Sequence, residues 1–189
     1  MKKIISLFER DYEGNRQVVN RVVSGAEWVV AGEGRATRKL DGTCCLVRDG
    51  KLYRRHEVKA GKAVPSGWTE ADHDPVTGKR FGWVPVGDGP EDRWHKEAWV
   101  TQTARAVLPD GTYELLGPKI QGNPEGVQSH VLSLHGVGNG LDVPRDFVSI
   151  RNYLATHDIE GIVWHHPDGR MVKIKGRDFG LRRSALVAE

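Results

Sequence analysis

Five short segments of the 189-residue chain carry side chains suited to an anionic, phosphate-bearing ligand. The first is Lys39-Leu40-Asp41-Gly42-Thr43, preceded by Gly32-Glu33-Gly34. A lysine beside small residues in a basic field can have a lowered pKa and act as a nucleophile. Taken alone, the same string also fits a surface Lys–Asp pair before a hairpin. The second is Tyr53-Arg54-Arg55 on the return strand of that hairpin. Side chains alternate across a strand, so only one of the two arginines can share a face with Lys39 and Asp41. The third is Tyr113-Glu114-Leu115-Leu116-Gly117-Pro118, where a carboxylate in an apolar strand needs a partner. A ribose hydroxyl pair or a lysine would serve. The fourth, Glu160-Gly161-Ile162-Val163-Trp164, opens a strand with a carboxylate that can hold a hydrated Mg²⁺ beside phosphates, and its glycine permits close backbone approach. In the fifth, Lys173-Ile174-Lys175, two lysines at i and i+2 share one strand face and repel unless an anion sits between them.

The elements that must position these residues are mostly short strands. Turn signals fall at Asp49-Gly50, Ser66-Gly67, Asp88-Gly89-Pro90, Asp110-Gly111, Asn139-Gly140 and Asp168-Gly169. The spacing predicts a hairpin of Thr43–Val47 and Lys51–Arg55, and another of Gly161–His165 and Met171–Ile174. Ala98–Leu108 reads as a longer strand, followed by Thr112–Leu116. Helices are expected at Asn15–Val23 and Val148–Thr156. Pro65–Pro90, rich in turn formers, reads as a surface insertion or lid. The outline is α+β, mostly antiparallel, in a single domain over residues 1–189.

Composition narrows the classes. Hydrophobic residues make up 38% and charged residues 28%, within the globular range. No apolar run is long enough for a membrane helix. The opening Met1–Gly14 segment returns to charge at Glu9, Arg10 and Asp11, unlike a secretory leader. Cys44 and Cys45 are adjacent, which argues against a disulfide framework or structural zinc and makes a reducing cytoplasm the expected location. They are read as packing residues, as are Trp68, Trp83, Trp94 and Trp99; His165 and His166 are expected at the surface. Residues 35–62 hold nine basic against three acidic side chains. The stretch 170–183 adds Arg170, Lys173, Lys175, Arg177, Arg182 and Arg183 against Asp178. Two basic segments far apart in sequence could converge on a nucleotide or nucleic acid.

K-x-D-G, a basic strand, E-L-x-G, E-G-I-V and K-x-K, in that order, resemble the covalent nucleotidyltransferases, the polynucleotide ligases and capping enzymes. Further strings narrow the likeness: Glu27-Trp28-Val29-Val30, Gly32-Glu33-Gly34, Ala36-Thr37, Lys39 through Cys45, Tyr113 through Gly117, Gly122-Asn123-Pro124 and His130-Val131-Leu132. Together they look like the compact RNA ligase family that joins 5′-phosphate to 3′-hydroxyl ends, over roughly residues 7–183.

The resemblance implies a nucleotidyltransferase domain with two antiparallel sheets around an ATP cleft, and no C-terminal OB-fold. It implies Lys39 as the nucleophile that takes AMP, Glu114 on the ribose, and Arg54 or Arg55 on phosphate or the ribose edge. Glu160 would orient the metal. Lys173 and Lys175 would hold the α-phosphate and leaving pyrophosphate, and the backbone around Thr37 and Arg38 would line the adenine. Arg182 and Arg183 would contact RNA. ATP and Mg²⁺, with Mn²⁺ as a substitute, are the expected cofactors. RNA with 5′-phosphate and 3′-hydroxyl ends is the expected partner, with no membrane and no obligate protein partner. The implied activity is ATP-dependent RNA ligation through lysyl-AMP. A GTP-dependent capping-type guanylyltransferase and a non-catalytic nucleotide- or RNA-binding module are the competing readings. No aromatic residue that would stack on adenine is evident after Glu114.

Overall fold

The computed structural model describes residues 4–138 and 140–183. In chain order its elements are β1 (Ile5–Ser6), β2 (Phe8–Arg10), β3 (Val18–Val22), α1 (Glu27–Val30), β4 (Arg35–Lys39), β5 (Thr43–Arg48) and β6 (Lys51–Val58). There follow β7 (Thr69–His73), β8 (Arg80–Pro85), α2 (Arg93–Thr103), β9 (Gly111–Leu116), β10 (Val131–Leu134), α3 (Phe147–Thr156), β11 (Gly161–His165) and β12 (Met171–Lys175). The α+β class holds. The chain divides into two compact units: residues 41–135, and residues 4–40 with the segment from 136 onward.

The unit formed by the two ends of the chain is built on a four-stranded sheet in the order β1-β12-β11-β4. One face is core. Ala36, Ile162, Trp164, Val172 and Ile174 alternate inward and pack with Leu7, Phe8, Val29, Ile150 and Phe179. β11 and its neighbours run antiparallel, but β1 pairs with β12 in parallel. The expectation of purely antiparallel sheets is corrected there, because the chain start adds to a sheet edge. The expected helix at Asn15–Val23 is instead strand β3, paired with β2. Its β-branched Val18, Val19 and Val22 suit a pleated edge better than a helix. Helix α3 forms where expected, with Asp146 Oδ1 accepting the Ser149 N–H at 2.9 Å as N-cap.

The other unit holds an entirely antiparallel six-stranded sheet, ordered β10-β9-β5-β6-β8-β7. The Asp49-Gly50 hairpin forms as read, with both residues at positive φ (51° and 65°). Two expectations fail here. Pro65–Pro90 is not a lid, since β7 and β8 extend the sheet and Trp83 and Val84 are buried. Ala98–Leu108 is not a strand, since α2 runs to Thr103. The misleading β-branched Val100 faces outward, whereas Trp94 and Ala98, four residues apart, pack on Cys45, Val47, Leu52, Tyr113 and Leu115. Gln102, one turn further, donates to Leu132 O (3.0 Å) and accepts from Leu132 N (2.5 Å), so its amide pairs with edge strand β10 as another strand would.

Gly161 is the tightest point of the four-stranded sheet. A Cβ there would meet Ile174 O at 2.1 Å and Lys175 Cα at 2.9 Å. Gly161→Ala should therefore lower stability by about 2 kcal/mol, as forced overpacking does; urea unfolding of the two proteins measures it.

Candidate functional site

The face of the four-stranded sheet opposite the core carries the chemistry. Lys39 lies opposite Gly161 on β11, and Gly161 lies opposite Lys175 on β12. The next row on the same face is Thr37, Val163 and Lys173. Three lysines and Thr37 thus come from two strands, β4 and β12, onto one face, with β11 between them. Gly161 leaves space between Lys39 and Lys175, and the carboxylate of Glu160 fills it electrostatically. Lys39 Nζ stands 2.5 Å from Glu160 Oε2, and Lys175 Nζ pairs with Glu160 Oε1. The Lys39, Glu160 and Lys175 side chains are all less than one-fifth exposed, so these charges are only weakly screened.

One carboxylate against three lysines leaves the cluster with an excess of positive charge. Burial pushes the Glu160 carboxyl upward, but the two lysines outweigh it and hold it below the usual range. Lys173 feels only a weaker pull from Asp178 and Glu160. Burial, then Lys175 and Lys39, lower its pKa to about 8. Lys39, Glu160, Lys173 and Lys175, all candidates from the sequence, lie together on this face.

Sequence reading missed His165 and His166, which are not free surface residues. His165 Nε2 lies 2.9 Å from the hydroxyl of the buried Thr37, whose Oγ1 also donates to Val163 O at 3.3 Å. His166 sits between Glu33 and Asp168, at 2.9 and 2.8 Å, and the Glu33 hydrogen bond leads in holding it above its ordinary pKa. Strand parity puts His165 on the face of Val163, but its meeting with Thr37 depends on β11 pairing with β4. Arg38 points the other way and donates to Asp158 O at 3.3 Å. Arg183 Nε pairs with Asp158 Oδ1 at 2.8 Å, while Arg182 is exposed.

The remaining expected residues belong to the unit of residues 41–135, so the chain crosses from one unit to the other between Leu40 and Asp41. In the six-stranded sheet Ser133, Glu114, Cys44, Arg55 and Trp83 form one cross-strand row, because Cys44 pairs with Glu114 and Cys45 with Arg54. Arg55, not Arg54, therefore shares a face with Glu114. Arg55 lies over the rings of Phe81 and Trp83. Arg54 projects to the face covered by α2, where its Nε is 2.7 Å from Oδ1 of the buried Asp92. Cys44 stays a thiol: burial and Glu114 push it up to about 11.

Glu114 itself is buried and doubly held. Oε1 accepts the Gly42 N–H at 3.1 Å, and Oε2 is 2.8 Å from His135 Nε2. Gly42 has to be glycine, since a Cβ would meet Leu115 O at 2.2 Å. The Asp41 N–H donates to Glu125 Oε1 at 3.1 Å. Two carboxylates thus pin the backbone of the turn that follows Lys39. Among the described residues no group of three or more His, Cys, Asp or Glu is placed to hold a metal ion, and no helix is long and apolar enough to cross a membrane.

Comparison with known proteins bears on the same residues. A family model described as RNA ligase 1 matches residues 95–186. RNA ligase 1 of Mus musculus is 25% identical, over 77% of this chain and 67% of the relative. RNA ligase 1 of Rattus norvegicus is 28% identical over the same shares. That of Danio rerio is 33% identical, over 61% of this chain and 41% of the relative. These findings support an RNA ligase family. The matched RNA ligase segment includes Glu114, Glu160, Lys173 and Lys175, while Lys39 precedes it.

Two outcomes follow from the electrostatics. Lys173, held at about 8 when folded and near 10.4 when unfolded, binds more protons in the unfolded chain between those values. Its contribution therefore becomes less unfavourable as pH rises through that window. Lys173→Met should be more stable than the parent below pH 8, with the advantage shrinking toward pH 10; paired urea titrations across pH test this. Arg54→Met should cost about 3 kcal/mol, because it strips a buried carboxylate of its partner, whereas Arg55→Met should cost much less. Equal losses in thermal unfolding would refute the assignment of the two arginines to opposite faces.

Proposed function

We propose that the chain is an ATP-dependent RNA ligase that joins 5′-phosphate and 3′-hydroxyl ends through a lysyl-AMP intermediate, built on a nucleotidyltransferase fold. The observation that carries this reading is the gathering of Lys39, Lys173 and Lys175 on one sheet face around a single carboxylate. Such a cluster has a net positive charge that a phosphate chain would neutralise. The similarity to RNA ligase 1 proteins supports RNA as the substrate.

In the proposed first step the Lys39 Nζ lone pair attacks the α-phosphorus of ATP. A P–N bond forms, the bond from that phosphorus to the β-phosphate bridging oxygen breaks, and pyrophosphate leaves. The nitrogen must first shed a proton and be released by Glu160, with which it is paired at 2.5 Å. Lys173 and Lys175, fixed on adjacent pleats of β12, are placed to stabilise charge growing on the phosphate oxygens. Glu114 would accept from the ribose hydroxyls, and Arg55, on the same face, would contact the sugar or phosphate edge. Thr37 and Arg38 would line the base through their backbone. Arg182 and Arg183 would meet RNA phosphates, Arg183 after leaving Asp158.

Glu160 would hold Mg²⁺, or Mn²⁺ in its place, once a phosphate chain drew the lysines from its oxygens. One carboxylate joined by phosphate oxygens and water is a usual environment for this hard ion. When bound, it would neutralise phosphate charge and strengthen the α-phosphorus as an electrophile.

The deciding experiment is incubation with α-labelled ATP or GTP. The parent should become labelled from ATP through an acid-labile, alkali-stable bond. Lys39→Ala should not label, and Lys173→Ala or Lys175→Ala should label on the order of 10²-fold more slowly, the effect of losing one preorganised donor. Labelling of Lys39→Ala would sink the proposal, and labelling from GTP alone would replace it with the guanylyltransferase reading.

A further inference from the structure

We infer that His135 is a positioning residue that fixes the acceptor geometry of Glu114 and so sets the chain's preference for a nucleotide with a complete ribose. The inference rests on the proposed role of Glu114 toward the sugar, and it concerns a residue that no part of that reading requires.

His135 follows β10 directly, and its N–H donates to Thr112 O at 2.9 Å, which extends the β10–β9 ladder by one step. It therefore lies opposite Thr112, one row from the Ser133–Glu114 pair. Thr112 and Glu114 are two residues apart on β9 and share a face. The imidazole spans them: Nδ1 is 3.1 Å from Thr112 Oγ1, and Nε2 is 2.8 Å from Glu114 Oε2. An ionised carboxylate can only accept, so Nε2 carries the proton; in the neutral ring Nδ1 then accepts from the Thr112 hydroxyl. Thr112 thus selects the tautomer that serves Glu114.

With Gly42 N–H on Oε1 and His135 on Oε2, each carboxylate oxygen is held once. An ionised carboxylate offers about four acceptor positions, so these two donors do not exhaust it. Two oxygens held in a fixed plane, each with acceptor capacity left, match the two adjacent hydroxyls of a ribose. A deoxyribose offers only one of them. Without the imidazole, Oε2 loses its donor and the carboxyl is fixed at one end only.

The test is equilibrium binding of ATP and 2′-deoxy-ATP to the full chain, read as the ratio of the two Kd values. The parent should favour ATP. His135→Ala should cut that preference by about fivefold, the factor one net hydrogen bond is worth. His135→Gln, whose amide can donate to Glu114 and accept from Thr112, should restore most of it. Thermal unfolding of each variant shows that the ratio, and not folding, has changed. Independently, the ¹⁵N shifts of the His135 ring at a pH where it is neutral should report the Nε2–H tautomer in the parent and a mixture in Thr112→Val. An unchanged ratio in His135→Ala, or an Nδ1–H tautomer in the parent, overturns the inference. A parent that binds ATP and discriminates as expected, yet forms no AMP adduct, would leave the positioning role standing and fail the ligase reading instead.

Discussion

The four-stranded sheet's chemistry depends on one shared carboxylate. Glu160 neutralises Lys39 and Lys175 across the gap that Gly161 leaves open, and without it three lysines would face one another on a half-buried surface. In a medium less polar than water, like charges a few ångströms apart repel by an energy on the order of several kcal/mol. The backbone dictates the arrangement. A side chain at position 161 would occupy the row between the two lysines and would collide with β12. Placing the carboxylate one residue earlier, at the strand entrance, lets it reach both neighbours. A polyphosphate bound as proposed would have to displace or rearrange these ion pairs.

The second constraint lies just beyond Lys39. The lysine is carried by β4 in one unit, and the residues that follow it are anchored in the other. Asp41 N–H is bound by Glu125 and Gly42 N–H by Glu114. Backbone groups in a turn need partners when water is excluded, and here buried or half-buried carboxylates supply them. Glu114 does two jobs at once. It satisfies a backbone donor through Oε1 and meets His135 through Oε2. That economy explains why the carboxylate tolerates burial inside an apolar strand.

The two neighbouring arginines show how a strand assigns different work to like residues. Arg54 turns under α2 to pair with buried Asp92, which also accepts the Gly87 N–H at 2.7 Å, so it braces the helix start against the sheet. Arg55 lies on the other face, over Phe81 and Trp83 and in the row of Glu114. Aromatic faces hold a guanidinium flat, and Arg55 also lies beside the Cys44 thiol.

The candidate residues were legible in the sequence because spacing alone determines much about a strand. Lys173 and Lys175 had to share a face, Glu160 had to open a strand beside Gly161, and the Asp49-Gly50 turn had to close a hairpin. What the sequence could not decide were matters of partner and register. Only the pairing of β5 with β6 and β9 shows that Arg55 belongs with Glu114. Only the approach of β10 to β9 brings His135 onto that carboxylate, and only β11 beside β4 joins His165 to Thr37. Local propensity also lost to tertiary context at three places. β-branched residues near Val100 sit on an exposed helix flank, valines after Asn15 entered an edge strand, and the turn-rich stretch before Pro90 supplied two strands to a sheet. In each case the element was chosen by the apolar surface it could cover, and that surface exists only once the rest of the chain has folded.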